Sequence, residues 1–362
     1  MNRMPVVIRI NGHDYSDNEL NLLVAERDSL PQLPDWEREL DTFLKEWFSP
    51  SDFIEAQTSG STSRPQTIRL PKTMMQRSAS RTIDFFGLQA GSRILLSLPC
   101  RFIAGKMMVV RAIIGQMDLI TVDPSSDFNL LINETFDLGA MVPNQVFKLL
   151  ESKAGIEKIE NIRNLLVGGS SIPKNLEEQI CHLTNRVVST YGMTETASHI
   201  AIRELSGEKQ SDIYHCLPGI SVSAGQNDCL QIHDSELAEL LQTKDIAEIT
   251  SPAGFRILGR ADDVIISGGI KYLPEKIEKT LFSAIHGRFI ISSLPDEKLG
   301  EKLVLVIEGE PTAIETFQQK SAELLSPFER PKAIYFLEKF PETTNGKLKR
   351  NEIKEMIRLF FL

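Results

Sequence analysis

The sequence predicts an α/β protein: a large N-terminal domain of sheets flanked by helices, followed by a small α+β domain. Three observations carry this. Short apolar runs alternate with stretches of helical periodicity, as buried strands and crossover helices do. The texture changes near residue 260, where strand candidates separated by helical stretches take over. The 362 residues allow about two domains. The expected boundaries are 1–259 and 260–362.

VVIRI (6–10) reads as the first strand. DWERELDTFLKEWF (35–48) puts Trp36, Leu40, Phe43, Leu44 and Trp47 on one helical face, an aromatic stripe that reads as packing. RILLSL (93–98), LITV (119–122), LGAMV (138–142) and NLLVGG (164–169) read as buried strands. IPKNLEEQICHL (172–183) is a helix between strands, with Pro173 in its first turn. RFIISSL (288–294), KLVLVIEG (302–309) and AIYFLEKF (333–340) are the strands of the small domain. LGRADDVIISGGIKYLPEKIE (258–278) is the junction. The chain has no internal repeat and no low-complexity segment.

Hydrophobic residues make up 41% and charged residues 25%, enough for a sizeable core. A net charge of −9 argues against nucleic acid or an anionic membrane as partner. It leaves small anionic ligands open, because they feel only local charge. No apolar run is long enough to span a bilayer, and the N-terminus lacks a secretory cleavage pattern, so the expected location is cytoplasmic. Cys100, Cys181, Cys216 and Cys229 lack C-x-x-C spacing and read as reduced thiols. No cluster has zinc spacing, so no structural metal is expected. Oligomeric state is not legible.

Three stretches carry chemistry. In TSGSTSRPQTIRLPK (58–72), Thr58, Ser59, Gly60, Ser61, Thr62 and Ser63 offer backbone N–H and hydroxyl donors to phosphate oxygens. Alone, such a run is as readily a polar turn. In STYGMTETASH (189–199), a hydroxyl beside a carboxylate suits a phosphate and its magnesium ion: Thr194 for the oxygen, Glu195 for the hard cation. The competing reading makes Thr194 a helix N-cap with Glu195 in the first turn. In FPETTNGKLKRNEI (340–353), the Asn345-Gly346 turn presents Lys347, with Lys349 and Arg350 behind it. A solvated basic turn reads the same way.

The order of the motifs separates these readings. The hydroxyl loop, YGMTET, TKD (243–245), GRADD (259–263) and NGKLKR together resemble the adenylate-forming superfamily of acyl-CoA synthetases, adenylation domains and luciferases. The resemblance runs from about residue 55 to 352. It implies a large N-terminal domain, a small mobile C-terminal domain and chemistry between them. The stretch ahead of the phosphate loop is short for the superfamily. LPCRFIAGKMMVVRAI (98–113), LLVGGSSIP (165–173) and YGMTETASHIAIREL (191–205) are most similar to the o-succinylbenzoate–CoA ligases of menaquinone biosynthesis.

That resemblance implies ATP, Mg2+ and coenzyme A as reactants of an acid–thiol ligase. Thr194 then resembles the α-phosphate ligand and Glu195 the magnesium ligand, within the Tyr191-Gly192-Met193 turn. Gly168, Gly169 and Ser170 resemble the loop that packs on adenine. Asp245 resembles the carboxylate that holds both ribose hydroxyls, with Arg260 as its partner. Asp262 resembles the hinge, and Gly268 and Gly269 the loop of the pantetheine tunnel. Lys347 resembles the catalytic lysine. Two departures stand in the phosphate loop, Ser63 for a usual glycine and Gln66 for a usual lysine. A third is Phe102, near a usual histidine. They raise a competing class, a nucleotide-binding pseudo-enzyme; retention of Lys347, Glu195 and Asp245 argues against decay. A ligase for another aromatic or aliphatic acid is the other alternative.

GKMMVVRAII (105–114) is an apolar helix broken only by Lys106 and Arg111. Either cation reaches solvent or a structural acid, or Arg111 holds the unreacted carboxylate of a two-acid substrate, with Lys106 or His199 nearby.

Overall fold

The computed structural model describes residues 6–57, 66–124, 134–235, 240–285, 287–310, 314–343 and 348–361. The phosphate-loop residues Thr58 to Pro65 and the lysine at 347 lie outside them. The chain divides into two compact units, Met1–Pro218 and Gly219–Leu362.

In the first unit, β1 (Val6–Ile10) and β2 (His13–Ser16) form a hairpin ahead of α1 (Asp17–Asp28) and α2 (Asp35–Phe48). A separate hairpin, β3 (Phe53–Gln57) and β4 (Thr67–Pro71), flanks the hydroxyl loop and leads into α3 (Lys72–Phe86). There follow β5 (Arg93–Leu96), α4 (Ile103–Gly115), β6 (Asp118–Thr121), β7 (Leu138–Met141), α5 (Pro143–Leu150), α6 (Lys153–Glu160) and β8 (Asn164–Val167). The unit ends with α7 (Lys174–Ile180), β9 (Arg186–Gly192), β10 (His199–Glu204) and β11 (Tyr214–Cys216). Its main sheet runs β11-β10-β9-β8-β7-β5-β6-β1-β2. From β9 to β1 the neighbours are parallel; β10, β11 and β2 join antiparallel.

The parallel strands are apolar on both faces because both faces are covered. In β5, Ile94 and Leu96 enter one core while Leu95 enters the other. Leu166 and Val188 follow the first pair; Leu165, Val167 and Val187 follow Leu95. The first core is completed by α2, α3 and α4, the second by α5, α6 and α7. The 35–48 helix has the expected bounds and buries Leu40, Phe43, Leu44 and Trp47. Each such side chain contributes roughly 1.5–3 kcal/mol of transfer free energy.

The second unit begins with an antiparallel meander, β12 (Ile220–Ala224), β13 (Cys229–Asp234), β14 (Leu241–Ser251) and β15 (Gly254–Arg260). A turn at Ala261–Asp263 leads to β16 (Ile265–Ser267), β17 (Ile270–Tyr272), α8 (Pro274–Leu281), β18 (Phe289–Asp296) and β19 (Gly300–Glu308). Then come α9 (Ile314–Leu324), β20 (Ala333–Leu337) and α10 (Arg350–Phe361). The sheet order is β17-β16-β19-β18, with β20 parallel to β19. The fold is therefore the expected α/β class with a smaller C-terminal sheet region of α+β character. Among the described residues no helix is long and apolar enough to cross a membrane.

Candidate functional site

Ligands of open parallel sheets collect beyond the carboxyl ends of the strands, and two of the three chemical motifs of the first unit lie there. Gly168-Gly169-Ser170 leaves the end of β8, and Gly169 takes φ +86°, a backbone that a side chain rarely adopts. Tyr191-Gly192 closes β9, and Met193 enters a short turn at Thr194–Thr196. Gly192 has no room for a side chain: a Cβ there would stand 2.4 Å from the Ser198 carbonyl oxygen. This contact folds β10 back tightly against β9.

The turn settles the competing reading of Thr194. Thr196, not Thr194, closes it: its hydroxyl donates to the carbonyls of Met193 (2.9 Å) and Ser198 (2.7 Å) and accepts the Met193 N–H at 3.0 Å. Thr194 follows the cap position, held by Met193. Among the described residues, the Thr194 hydroxyl and the exposed Glu195 carboxylate have no side-chain partner. The residue after the turn, Ala197, is buried with φ +60°, a strained backbone for alanine.

Behind this turn is a buried cation. Arg111 on α4 is 2% exposed. Its Nη2 donates to Ser198 Oγ at 2.6 Å and its Nη1 to the Met108 sulfur at 3.4 Å. Its Nε is buried without a partner. Burial alone pulls the guanidinium down to about 10, and no described carboxylate opposes that. His199 lies 3.3 Å from Ser198 Oγ through Nδ1 and 3.3 Å from Thr82 Oγ1 through Nε2. Burial, then the charge of Arg111, hold its pKa well below the usual histidine value, so it is a neutral imidazole here. The expected neighbourhood of Arg111 and His199 thus exists, joined by Ser198 and Thr82. Neither was singled out in the sequence, since nothing local marks a serine or threonine as the partner of an arginine far along the chain. Lys106 is engaged elsewhere: Nζ lies 3.1 Å from Glu46 Oε2, donates to the Glu55 carbonyl at 2.8 Å and stands over the Phe43 ring. Phe102 precedes the first turn of α4, with the Arg101 guanidinium over its ring.

In the second unit Asp245 and Arg260 are register partners across β14 and β15, and Arg260 Nη1 donates to Asp245 Oδ1 at 2.7 Å. Burial disfavours the Arg260 charge, but Asp245 and Asp262 outweigh it and hold the residue cationic. Asp262, in the turn after β15, receives Lys244 Nζ at 3.2 Å on both oxygens. Gly268 (φ +58°) and Gly269 (φ +80°) form the tight two-residue turn between β16 and β17. Exposed Ile266 and Ile270 flank it.

The AMP-binding enzyme family matches residues 21–230. The chain belongs to that family. This AMP-binding enzyme is 33% identical to an acyl-CoA synthetase (AMP-forming)/AMP-acid ligase II-like protein from Dyadobacter fermentans. The match covers 90% of this chain and 95% of that one, with a TM-score of 0.60. It is also 24% identical to the 2-succinylbenzoate–CoA ligase of Lactococcus lactis over 82% of this chain and 69% of that protein. It has the fold of the o-succinylbenzoate coenzyme A synthetase of Bacillus subtilis solved with ATP and a magnesium ion (TM-score 0.68, 22% identity, covering 83% of this chain and 69% of that one). The AMP-binding enzyme is thus of the adenylate-forming acid–CoA ligase kind.

Proposed function

We propose that the protein activates 2-succinylbenzoate with ATP and transfers the acyl group to coenzyme A. The observation that carries this reading is Arg111, a buried guanidinium with no described counter-ion, behind the turn that carries Thr194 and Glu195. A buried charge needs a partner. 2-Succinylbenzoate has two carboxylates and only one reacts; the other supplies that partner.

In the first half-reaction a carboxylate oxygen bonds to the α-phosphorus of ATP, and the bond from that phosphorus to the bridging oxygen of pyrophosphate breaks. In the second, the coenzyme A thiolate attacks the acyl carbon and AMP leaves with the bonding electrons. Thr194 donates its hydroxyl to the α-phosphate. The exposed Glu195 carboxylate, which has no side-chain partner among the described residues, would hold the magnesium ion, which would neutralise phosphate charge. Gly168, Gly169 and Ser170 pack on adenine through backbone. Asp245, oriented by Arg260, accepts both ribose hydroxyls. Lys347 stabilises the charge at the α-phosphorus, and Gly268 and Gly269 line the path of the pantetheine arm. The reading also takes residues 260–362 as the mobile domain, with Asp262 as its hinge.

The deciding experiment is pyrophosphate release with a panel of acids. Release confined to 2-succinylbenzoate supports the proposal. Release with another acid moves the substrate, and release with none favours a nucleotide-binding protein without turnover.

Two smaller effects follow. Gln66→Lys restores a cation beside the hydroxyl loop and lowers the Michaelis constant for ATP at low salt, whereas Ser63→Gly changes little. An unchanged ATP dependence in the lysine variant would show that residue 66 does not face the β/γ-phosphates. Asp262→Pro fixes φ at the hinge and uncouples the two half-reactions, one rate falling much further than the other. Equal rates in variant and parent would remove Asp262 from that role.

A further inference from the structure

A chain of hydrogen bonds runs from Arg111 through β10 to α3, within the first unit. Its two ends have no choice of role. A guanidinium carries only donors, so Arg111 Nη2 donates to Ser198 Oγ at 2.6 Å. A carbonyl oxygen only accepts, so the Thr82 hydroxyl donates to Ser78, one turn back on α3, at 3.1 Å. His199, at the start of β10, stands between them. Its Nδ1 is 3.3 Å from Ser198 Oγ and its Nε2 is 3.3 Å from Thr82 Oγ1.

The ends decide the middle. Thr82 has given its proton to Ser78, so its oxygen accepts, and His199 Nε2 carries the hydrogen that it receives. Burial and the Arg111 charge keep the ring neutral, so a proton on Nε2 leaves Nδ1 bare. Bare Nδ1 accepts the Ser198 proton, and the Ser198 lone pairs are turned toward Arg111. The opposite tautomer would break the Thr82–Ser78 bond and point the Ser198 proton out of the chain. Ser78, Thr82 and His199 are all buried, where each bond is stronger than in water.

This order bears on Arg111 because little else holds it. Its Nη1 has a weak contact to the Met108 sulfur and its Nε has no partner. The Ser198 bond is thus the strong hold on the guanidinium among the described residues. A planar fork grips a carboxylate well only when it is aimed.

We propose that His199 and Thr82 are positioning residues for Arg111: the Nε2–H tautomer of His199, set by Thr82, makes Ser198 an acceptor that aims the guanidinium and leaves its remaining N–H groups for the unreacted carboxylate of the acid. The inference rests on the reading of Arg111 as the group that holds that carboxylate. It moves His199, expected from the sequence beside the substrate, one step behind it.

The test uses the full-length protein with isotope-labelled histidine ring nitrogens read by NMR, and pyrophosphate release as the kinetic assay. His199→Asn identifies the His199 signals among those of the six histidines. The expected ring carries its proton on Nε2 alone at neutral pH. Thr82→Val is expected to mix in the other tautomer, and Thr82→Ser to restore the first. His199→Leu and Thr82→Val should each raise the Michaelis constant for 2-succinylbenzoate by about 2- to 10-fold, the scale of one hydrogen bond, with that for ATP and kcat nearly unchanged. His199→Asn, whose Oδ1 replaces the Nδ1 acceptor, falls between His199→Leu and the parent. The parent spectrum decides the tautomer even where a variant does not fold. A ring protonated on Nδ1, or on both nitrogens, overturns the proposal. So does an unchanged acid constant in both His199→Leu and Thr82→Val, or an ATP constant that rises equally with it. An unchanged acid constant in Arg111→Met, with the tautomer as stated, overturns instead the carboxylate role of Arg111 on which the proposal stands.

Discussion

Lys347→Ala is expected to lower the rate of pyrophosphate release by about 100- to 1,000-fold, the scale of removing one preorganised electrostatic group. Formation of the thioester from supplied acyl-adenylate should change far less. The asymmetry follows from where charge develops. In the proposed first half-reaction, negative charge gathers on the α-phosphate oxygens as pyrophosphate departs, and the role proposed for the Lys347 ammonium group is to oppose it. In the second, the charge develops at the acyl carbon and its oxygen, a step in which the proposal gives that lysine no part. A Michaelis constant for ATP that rises in step with the fall in kcat would mean that Lys347 binds nucleotide in the ground state as well. Equal damage to both halves would remove the lysine from the catalytic role.

Much of this fold was legible because parallel strands buried on both faces are written as unbroken apolar runs. LGAMV and NLLVGG could hardly be anything else. The strands β10 to β15 were not anticipated, and the reason is physical. LQTKDIAEITS mixes charged and apolar residues irregularly, and β14 carries two register shifts against β15, so no clean alternation survives. The turn at Thr194 shows the same limit at the site. Sequence placed a hydroxyl and a carboxylate side by side but left open whether Thr194 caps the turn or faces a phosphate. The Thr196 hydroxyl takes that task in the folded chain, and Thr194 and Glu195 have no side-chain partner among the described residues. Arg350 was visible as one of two basic residues just after Lys347. Its partners at Asp263 and Glu278 are supplied by tertiary structure, which no local pattern encodes.

The same limit governs Arg111, whose chemistry was legible as an interruption of an apolar helix but whose environment was not. The sequence left open whether Arg111 reaches solvent, meets a structural acid, or stays buried for a substrate carboxylate. The structure buries it at 2% exposure with no carboxylate among the described residues acting on its charge. That makes a sharper experiment available than truncation to alanine. Arg111→Met keeps most of the volume and removes the charge. A buried arginine lowered to about 10 from its ordinary value carries a destabilisation on the order of 3 kcal/mol at neutral pH. The sign follows from linkage: the folded state holds the proton less tightly than the unfolded state, so the penalty is fully present below about pH 10, fades as pH rises through the folded value, and is gone above the unfolded one. Removing the cation should therefore leave thermal stability unchanged or raise it, as replacing buried charges by apolar groups often does. Binding should move the other way. The Michaelis constant for 2-succinylbenzoate is expected to rise by one to two decades, roughly 1.4–3 kcal/mol, while that for ATP stays nearly constant. The stabilisation that 2-succinylbenzoate confers on the parent protein in a thermal melt should shrink in parallel, because the substrate carboxylate relieves the charge that methionine no longer carries. Loss of stability with unchanged substrate dependence would make Arg111 a structural residue. Loss of ATP and acid dependence together would place it in the nucleotide site instead of the acyl pocket.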